Sequence, residues 1–150
     1  MNFRGVAIFI VNDKAYLPSF GVYSSGIVQQ IDPVFICDLN ISELTQAVTN
    51  ISITELKPLA DITAEEWKKQ KKPLLEAAKI KSWKKLDAVC IPYGIDWTKN
   101  GIELSSSYLN RKNRMESDPS KNKIFPENTG LENILKVVLE DYQNRRQINI

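Results

Sequence analysis

The stretch Leu74-Leu75-Glu76-Ala77-Ala78-Lys79-Ile80-Lys81-Ser82-Trp83-Lys84-Lys85-Leu86 decides the fold, because it indicates the end of one helix and the start of another. Pro73, directly before it, suits the first position of a helix, and the leucines that follow would face inward. Ser82 is placed to cap a short helix that begins at Trp83. Beyond Leu86 the apolar residues lose helical spacing, so the sequence predicts strands there.

The segments downstream predict strands, a loop and a closing helix. Residues 87–91 predict one strand, and Asn100-Gly101 predicts the turn of a hairpin between two more. Residues 109–128 have no clear period and predict a long exposed loop, a kind of segment that is often functional. A helix at about 130–145 has an apolar stripe at i, i+3, i+4, i+7, i+8 and i+11, so we expect it to pack on the sheet.

The segments upstream begin with a predicted hairpin. Residues 3–12 predict a strand that turns at Asn12-Asp13-Lys14 into a second strand, which Pro18 ends or confines to a sheet edge. Residues 34–37 predict a further strand. Asn40 with Glu43 has the spacing of a helix cap, and the apolar residues that follow predict a helix at about 41–49.

Together these elements predict one α+β domain over residues 1–150. Its sheet is expected to be largely antiparallel or mixed, because strands come as hairpins at both ends of the chain while helices cluster in the middle. Helices at about 41–49, 64–80 and 130–145 would cover it, the second of them capped by Thr63 with Glu66. Trp83 stands where helix meets sheet, so we expect it to be a buried anchor.

Composition narrows the classes of function. The chain has 150 residues and no histidine, which removes His-based catalytic triads and most catalytic zinc sites. Its net charge of +2 is too small to imply nucleic-acid binding by itself. No apolar run reaches the roughly 18 residues of a membrane span, so we expect a soluble, cytoplasmic protein. Cys37 and Cys90 lie in apolar company and are expected to be small core residues.

Two groups of charged residues could carry chemistry. Asp38 with Glu55-Leu56-Lys57 has the D…ExK order of some magnesium-dependent nucleases, in which the carboxylates hold the metal, but the order arises readily by chance and solvated surface charges explain it better. Eight lysines lie between Lys68 and Lys85, beside Trp67 and Trp83, and could contact phosphates. Such lysines are more typical of the solvent-exposed faces of amphipathic helices.

The stretch quoted above, followed by a Cys-containing strand, a strand pair and an amphipathic helix, resembles the immunity proteins of bacterial contact-dependent growth inhibition systems. The segment Lys81-Ser82-Trp83 is its best-matched part. Upstream, residues 34–40 are similar to that family's strand running into a capped helix, so the likeness covers roughly residues 33–142. The matched residues look like packing and capping positions.

The resemblance implies a cytoplasmic protein that binds the toxin domain delivered by a neighbouring cell and occludes its active site. It implies no catalysis and no cofactor, and neither a membrane nor a nucleic acid as direct partner. The alternatives are a small nucleic-acid-binding module that uses the lysines at 68–85 and a magnesium-dependent nuclease.

Acidic side chains are the candidates for contact with the toxin. Toxins of this type are often nucleases with basic clefts, and exposed acids on loops and helix starts can occupy such clefts and accelerate association. Such acids also occur as helix-dipole partners or as solvated charges. The candidates are Asp61, Glu65 and Glu66 at a helix start, and Glu116 and Asp118 in the long loop.

Overall fold

An open, largely antiparallel sheet of eight strands runs through the computed structural model, which describes residues 5–52, 56–109, 112 and 115–148. The strands are β1 (Gly5–Val11), β2 (Lys14–Val22), β3 (Val28–Asp38), β4 (Lys57–Pro58), β5 (Cys90–Thr98), β6 (Gly101–Leu109), β7 (Met115–Ser117) and β8 (Lys123–Phe125). The helices are α1 (Ile41–Ser52), α2 (Ala64–Lys68), α3 (Pro73–Ala78), α4 (Trp83–Val89) and α5 (Leu131–Ile148).

The strand order is β3-β2-β1-β5-β6-β7, with β8 also on β6 and β4 parallel to β2. This is the α+β domain that the sequence predicts, and the parallel pair makes the sheet mixed. Within the residues that the structure describes, no helix is long and apolar enough to cross a membrane.

The larger core lies between α1, α5 and one face of the sheet. Side chains alternate along a strand, so Val6, Ile8 and Ile10 of β1 all point to that face and are buried. Leu44 of α1 and Leu135 of α5 are buried against the same cluster. The predicted stripe of α5 is therefore confirmed as its packing face.

A smaller core lies on the opposite face. Val11 and Cys90 from the ends of β1 and β5 are buried there with Leu74 and Leu75 of α3 and Leu86 of α4. The stretch 74–86 therefore supplies most of α3 and the start of α4, which form the second helical layer. That layer covers the end of the sheet where β1 finishes and β5 begins.

Turns and caps lie where local chemistry places them. Asn12 and Asp13 both have positive φ, which suits the tight turn of the β1–β2 hairpin. Gly101 has φ +124°, and a Cβ there would lie 2.3 Å from the carbonyl oxygen of Phe125, so only glycine fits. The hydroxyl of Ser82 accepts from the backbone N–H of Lys85 at 3.2 Å, which confirms it as a cap.

The predicted helix 64–80 is wrong as one element, because α2 ends at Lys68 and α3 begins at Pro73. Proline lacks the N–H that a continuous helix needs and disfavours helical backbone in the residue before it. Residues 87–89 were predicted as strand but belong to α4. The Ser82 cap starts that helix, and its exposed last turn needs no core contact to continue it.

Trp83 is also not the buried anchor that the sequence predicts, because it is 42% exposed. It is the first residue of α4, and Leu86, one turn later, takes the buried position. Parts of the predicted loop 109–128 are ordered as β7, a 3-10 turn at Pro119–Lys121 and β8. Both strands find partners on β6, a tertiary contact that their own short sequences do not signal.

Candidate protein-binding surface

The turn between β2 and β3 and the helix α2 form one continuous surface at an edge of the sheet. Helix α2 is short and has no buried residue, so it depends on contacts with the turn for its position. We call this the hairpin–α2 surface and define it by Tyr23, Ser24, Ile27, Val28, Asp61, Glu65, Glu66, Trp67 and Gln70.

Tyr23 is the residue on which α2 rests. Its ring lies 5.8 Å from that of Trp67, centroid to centroid, at an interplanar angle of 45°. The amide of Gln70 donates to the Tyr23 hydroxyl at 2.7 Å, and this hydroxyl donates to the side-chain carbonyl of Gln29 at 2.8 Å. Gln29 in turn donates to Gln70 at 2.7 Å, so a closed ring of hydrogen bonds holds the helix on the strands.

Large apolar side chains of this surface face solvent. Trp67 is 49% exposed, Ile27 55% and Val28 41%. Ile27 lies in the turn, where its carbonyl accepts from the backbone N–H of Tyr23 at 2.9 Å, and Val28 begins β3 opposite Val22. An exposed apolar patch with an aromatic residue in it is typical of a protein-interaction site.

Three of the five predicted acids border this patch. Both carboxylate oxygens of Asp61 accept from the hydroxyl of Ser24, at 2.9 and 3.0 Å. Glu66 completes the capping box with Thr63, since its backbone N–H donates to the Thr63 hydroxyl at 3.2 Å and its carboxylate accepts from that hydroxyl at 3.2 Å. Glu65, in the first turn of α2, is exposed. The surface therefore has carboxylates on the N-terminal side of Trp67, while the exposed Lys68 and Lys69 follow it on the other side.

The other two predicted acids lie at the opposite edge of the sheet. Glu116 is exposed on β7, and Asp118 caps the 3-10 turn by accepting from the backbone N–H of Ser120 at 3.1 Å. Hydrogen bonding from the Ser120 side chain lowers the pKa of Asp118. Four steps of about 4.8 Å separate β2 from β7, so the two groups of acids are roughly 19 Å apart across the sheet. The structure thus divides the five residues between two surfaces.

The residues of the nuclease pattern do not meet. Asp38 pairs with Lys14 at one end of β2, and Lys57 pairs with Gly21 near the other. Seven residues at about 3.3 Å each place these positions roughly 23 Å apart. Glu55 lies outside the described residues. Asp38 and Lys57 therefore cannot serve the same metal site.

The eight lysines are spread over α2, α4 and the connections between the three short helices, and each of them is exposed. The ammonium of Lys71 lies 2.9 Å from a carboxylate oxygen of Asp32 and 3.5 Å from one of Glu76. The aromatic neighbours are also separated, since Trp67 rests on the hairpin while Trp83 begins α4. Three of them, Lys68, Lys84 and Lys85, lie on exposed faces of helices as the amphipathic interpretation predicts, and the other five lie in the exposed connections.

Neither cysteine is in a disulfide, and burial raises the pKa of both thiols. Cys90 is buried, with a pKa of about 12, as the prediction of a core residue requires. Cys37 is half-buried against the edge of the larger core, and this burial raises the pKa of its thiol to about 11. Both thiols are protonated near neutral pH, and a protonated thiol is a poor nucleophile.

The sequence analysis did not identify one pair of neighbouring carboxylates. Asp96 on β5 lies directly opposite Glu103 on β6, and a side-chain oxygen of Glu103 accepts from the amide of Asn122 at 2.9 Å. Burial, with a smaller contribution from Glu103, raises the pKa of Asp96. Strand register is needed to find this pair, because seven residues and a turn separate its members.

We expect Asp96→Asn to stabilise the protein by about 0.5 kcal/mol at pH 7, the size of a cross-strand pair of like charges. A raised carboxyl pKa in the folded state means that wild type loses stability as pH rises from the unfolded value of about 4 through the folded value. The extra stability of Asp96→Asn over wild type should therefore vanish near pH 3, where residue 96 is neutral in both proteins. Urea unfolding at both pH values measures this, and an equal gain at both would refute the electrostatic cause.

No protein-family model matches the sequence, and no curated protein matches it. Among solved structures, one with a similar fold is the protein of unknown function NMB0488 from Neisseria meningitidis. The two chains superpose with a TM-score of 0.57 at 10% sequence identity, over 89% of this chain and 90% of the other. At this identity the likeness concerns the fold alone.

Proposed function

We propose that this chain is an immunity protein, a cytoplasmic, non-catalytic inhibitor that binds the toxin domain of a contact-dependent growth inhibition system and occludes its active site. The resemblance of residues 33–142 to that family motivates the proposal. The observation that supports it is the hairpin–α2 surface, where the half-exposed Trp67 rests on Tyr23 and the carboxylates of Asp61, Glu65 and Glu66 precede it in the chain.

This arrangement has the anatomy of a binding site for a basic protein. Interfaces bury aromatic anchors at the centre, while charged residues at the rim steer the partner and fix its orientation. Many toxins of this type are nucleases, whose active-site clefts carry positive charge to hold phosphates. Asp61, Glu65 and Glu66 are complementary to such a cleft, and the tyrosine–glutamine ring holds α2 in place before the partner arrives.

The direct test is charge reversal on this surface. We expect Asp61→Lys, Glu65→Lys and Glu66→Lys together to weaken toxin binding by at least roughly tenfold, chiefly through slower association that depends strongly on salt. The partner to test is the C-terminal domain of the large secreted protein expected to be encoded directly upstream. Surface plasmon resonance at two salt concentrations measures both rates.

A matched control reverses three exposed acids elsewhere, Glu127, Glu132 and Glu140, and changes the net charge equally. Its association rate should fall much less, because electrostatic steering depends on where the charges lie relative to the interface and not on net charge alone. If the triple variant at 61, 65 and 66 bound at the wild-type rate and still protected cells, this surface would be excluded as the toxin contact.

A further inference from the structure

Residues 60–72, which include α2, lie on the β2–β3 hairpin as a flap that is anchored at both ends. Before the flap, the backbone N–H of Leu59 donates to the carbonyl of Val22 at 2.8 Å. The Leu59 side chain also covers Gly21, since a Cβ there would lie 2.7 Å from the Leu59 Cγ. After the flap, Leu74 of α3 is fully buried in the smaller core. The two ends are therefore fixed independently of the residues between them.

The flap lies outside both hydrophobic cores. None of residues 60–72, all of which the structure describes, is buried, and Ile62 and Gln70 are the two that are partly shielded from solvent. Helix α2 has five residues, far fewer than the roughly 12–15 that an isolated helix needs in water. Contacts with the hairpin must therefore keep the flap in place.

Most of these contacts join exposed polar groups. The hydroxyl of Ser24 donates to both carboxylate oxygens of Asp61, and the ammonium of Lys71 lies 2.9 Å from a carboxylate oxygen of Asp32. The side chains of Lys71 and Asp32 are each more than half exposed. Exposed pairs of this kind stabilise a structure little, because water competes for both partners.

Tyr23 is the buried member of the contacts that hold the flap. It is 8% exposed, and its hydroxyl accepts from Gln70 of the flap and donates to Gln29 of β3. Its ring packs on that of Trp67. Lifting the flap would break both hydrogen bonds and expose the phenol to water, so the free energy of opening depends largely on this one side chain.

We propose that residues 60–72 open and close as one unit while the sheet stays folded, with the Tyr23 hydroxyl setting the equilibrium between the two states. Segments that bury few apolar contacts open at a lower free energy than the whole protein unfolds. A consequence that rests on the proposed function is that the toxin binds the closed flap alone, because opening moves Trp67 and the carboxylates of α2 away from the strands.

Native-state hydrogen exchange of the free protein tests the opening. The amides of Trp67 and Lys69 donate to carbonyls within the flap, at 2.9 and 3.3 Å, whereas that of Val48 lies in the middle of α1 against the larger core. We expect the two flap amides to exchange at least roughly a hundredfold faster than the α1 amide, after correction for intrinsic rates. Exchange of all three at one rate would mean that the flap opens only when the whole protein unfolds, and would overturn the proposal.

Three variants separate the flap from the core. Tyr23→Phe should accelerate both flap amides about tenfold, because two hydrogen bonds to the hairpin are lost. Tyr142→Phe removes an equally buried hydroxyl on α5 and should leave them unchanged. Leu135→Ala should accelerate the α1 amide about a hundredfold but not the flap amides, since it weakens the core in both states of the flap. Unchanged flap exchange in Tyr23→Phe, or flap exchange that follows the core in Leu135→Ala, would contradict the proposal.

The effect of the toxin has a separate readout. Saturating toxin domain should slow exchange of the two flap amides at least roughly tenfold, because a partner that binds only the closed state lowers the open fraction. Unchanged flap exchange in a complex that does form would overturn this consequence. If no complex forms, the proposed function fails, and exchange in the free protein still decides whether the flap opens by itself.

Discussion

Trp67→Ala is expected to weaken toxin binding about 30-fold, the effect of an interface anchor worth about 2 kcal/mol. The indole is half-exposed and its inner face rests on Tyr23, so it is held in a binding-ready orientation. Its removal takes away the large exposed aromatic side chain of α2. The free energy of unfolding should change by less than about 1 kcal/mol, because the lost contacts are at the surface.

Trp83→Ala is the matched control, because Trp83 has a similar exposed fraction and lies on α4, away from the hairpin. It should retain wild-type affinity. Calorimetric titration of both variants with the toxin domain, alongside their urea midpoints, decides the matter. If Trp67→Ala bound as tightly as wild type, or if Trp83→Ala lost as much affinity, the patch would not be the centre of the interface.

Leu135→Ala is expected to destabilise the protein by about 3 kcal/mol, within the range measured for leucine truncation in well-packed cores. Leu135 of α5 is fully buried in the larger core, so truncation of its side chain leaves a cavity between helix and sheet. Domain stabilities are typically about 5–15 kcal/mol, so this loss is a large share of the total. Urea unfolding followed by circular dichroism measures it.

Leu139→Ala, one turn further along α5, provides the comparison. Leu139 only borders the core, so the same truncation should cost clearly less. Equal losses for the two variants would mean that the cost does not follow burial, since alanine has the higher helix propensity and its introduction does not by itself weaken a helix. A loss at Leu135 below about 1 kcal/mol would contradict the packing of α5 on the sheet.

Local chemistry made several parts of this fold predictable from sequence. Asn100-Gly101 signals a hairpin because glycine readily adopts the positive φ that such a connection needs, and Gly101, the first residue after the turn, has φ +124°. Ser82 and Thr63 are recognisable as caps because their hydroxyls satisfy backbone N–H groups three residues away. The stripe of α5 is visible because a helix repeats every 3.6 residues.

The candidate surfaces were only partly predictable. Asp61, Glu65 and Glu66 could be proposed from their helix-start positions, but their place around Trp67 depends on the contact with Tyr23, some forty residues earlier. The sequence analysis grouped them with Glu116 and Asp118, but the strand order places these two residues at the opposite edge of the sheet.

Sequence by itself therefore determined the fold class, the hairpins at both ends and the capped helices, since each depends on residues within a few positions of one another. Tertiary structure decided that Leu86 and not Trp83 enters the core, and that β7 and β8 form on β6. It also decided which charges share a surface. The physical reason is that burial and strand pairing depend on partners distant in the chain, which hydrophobic period and turn chemistry do not identify.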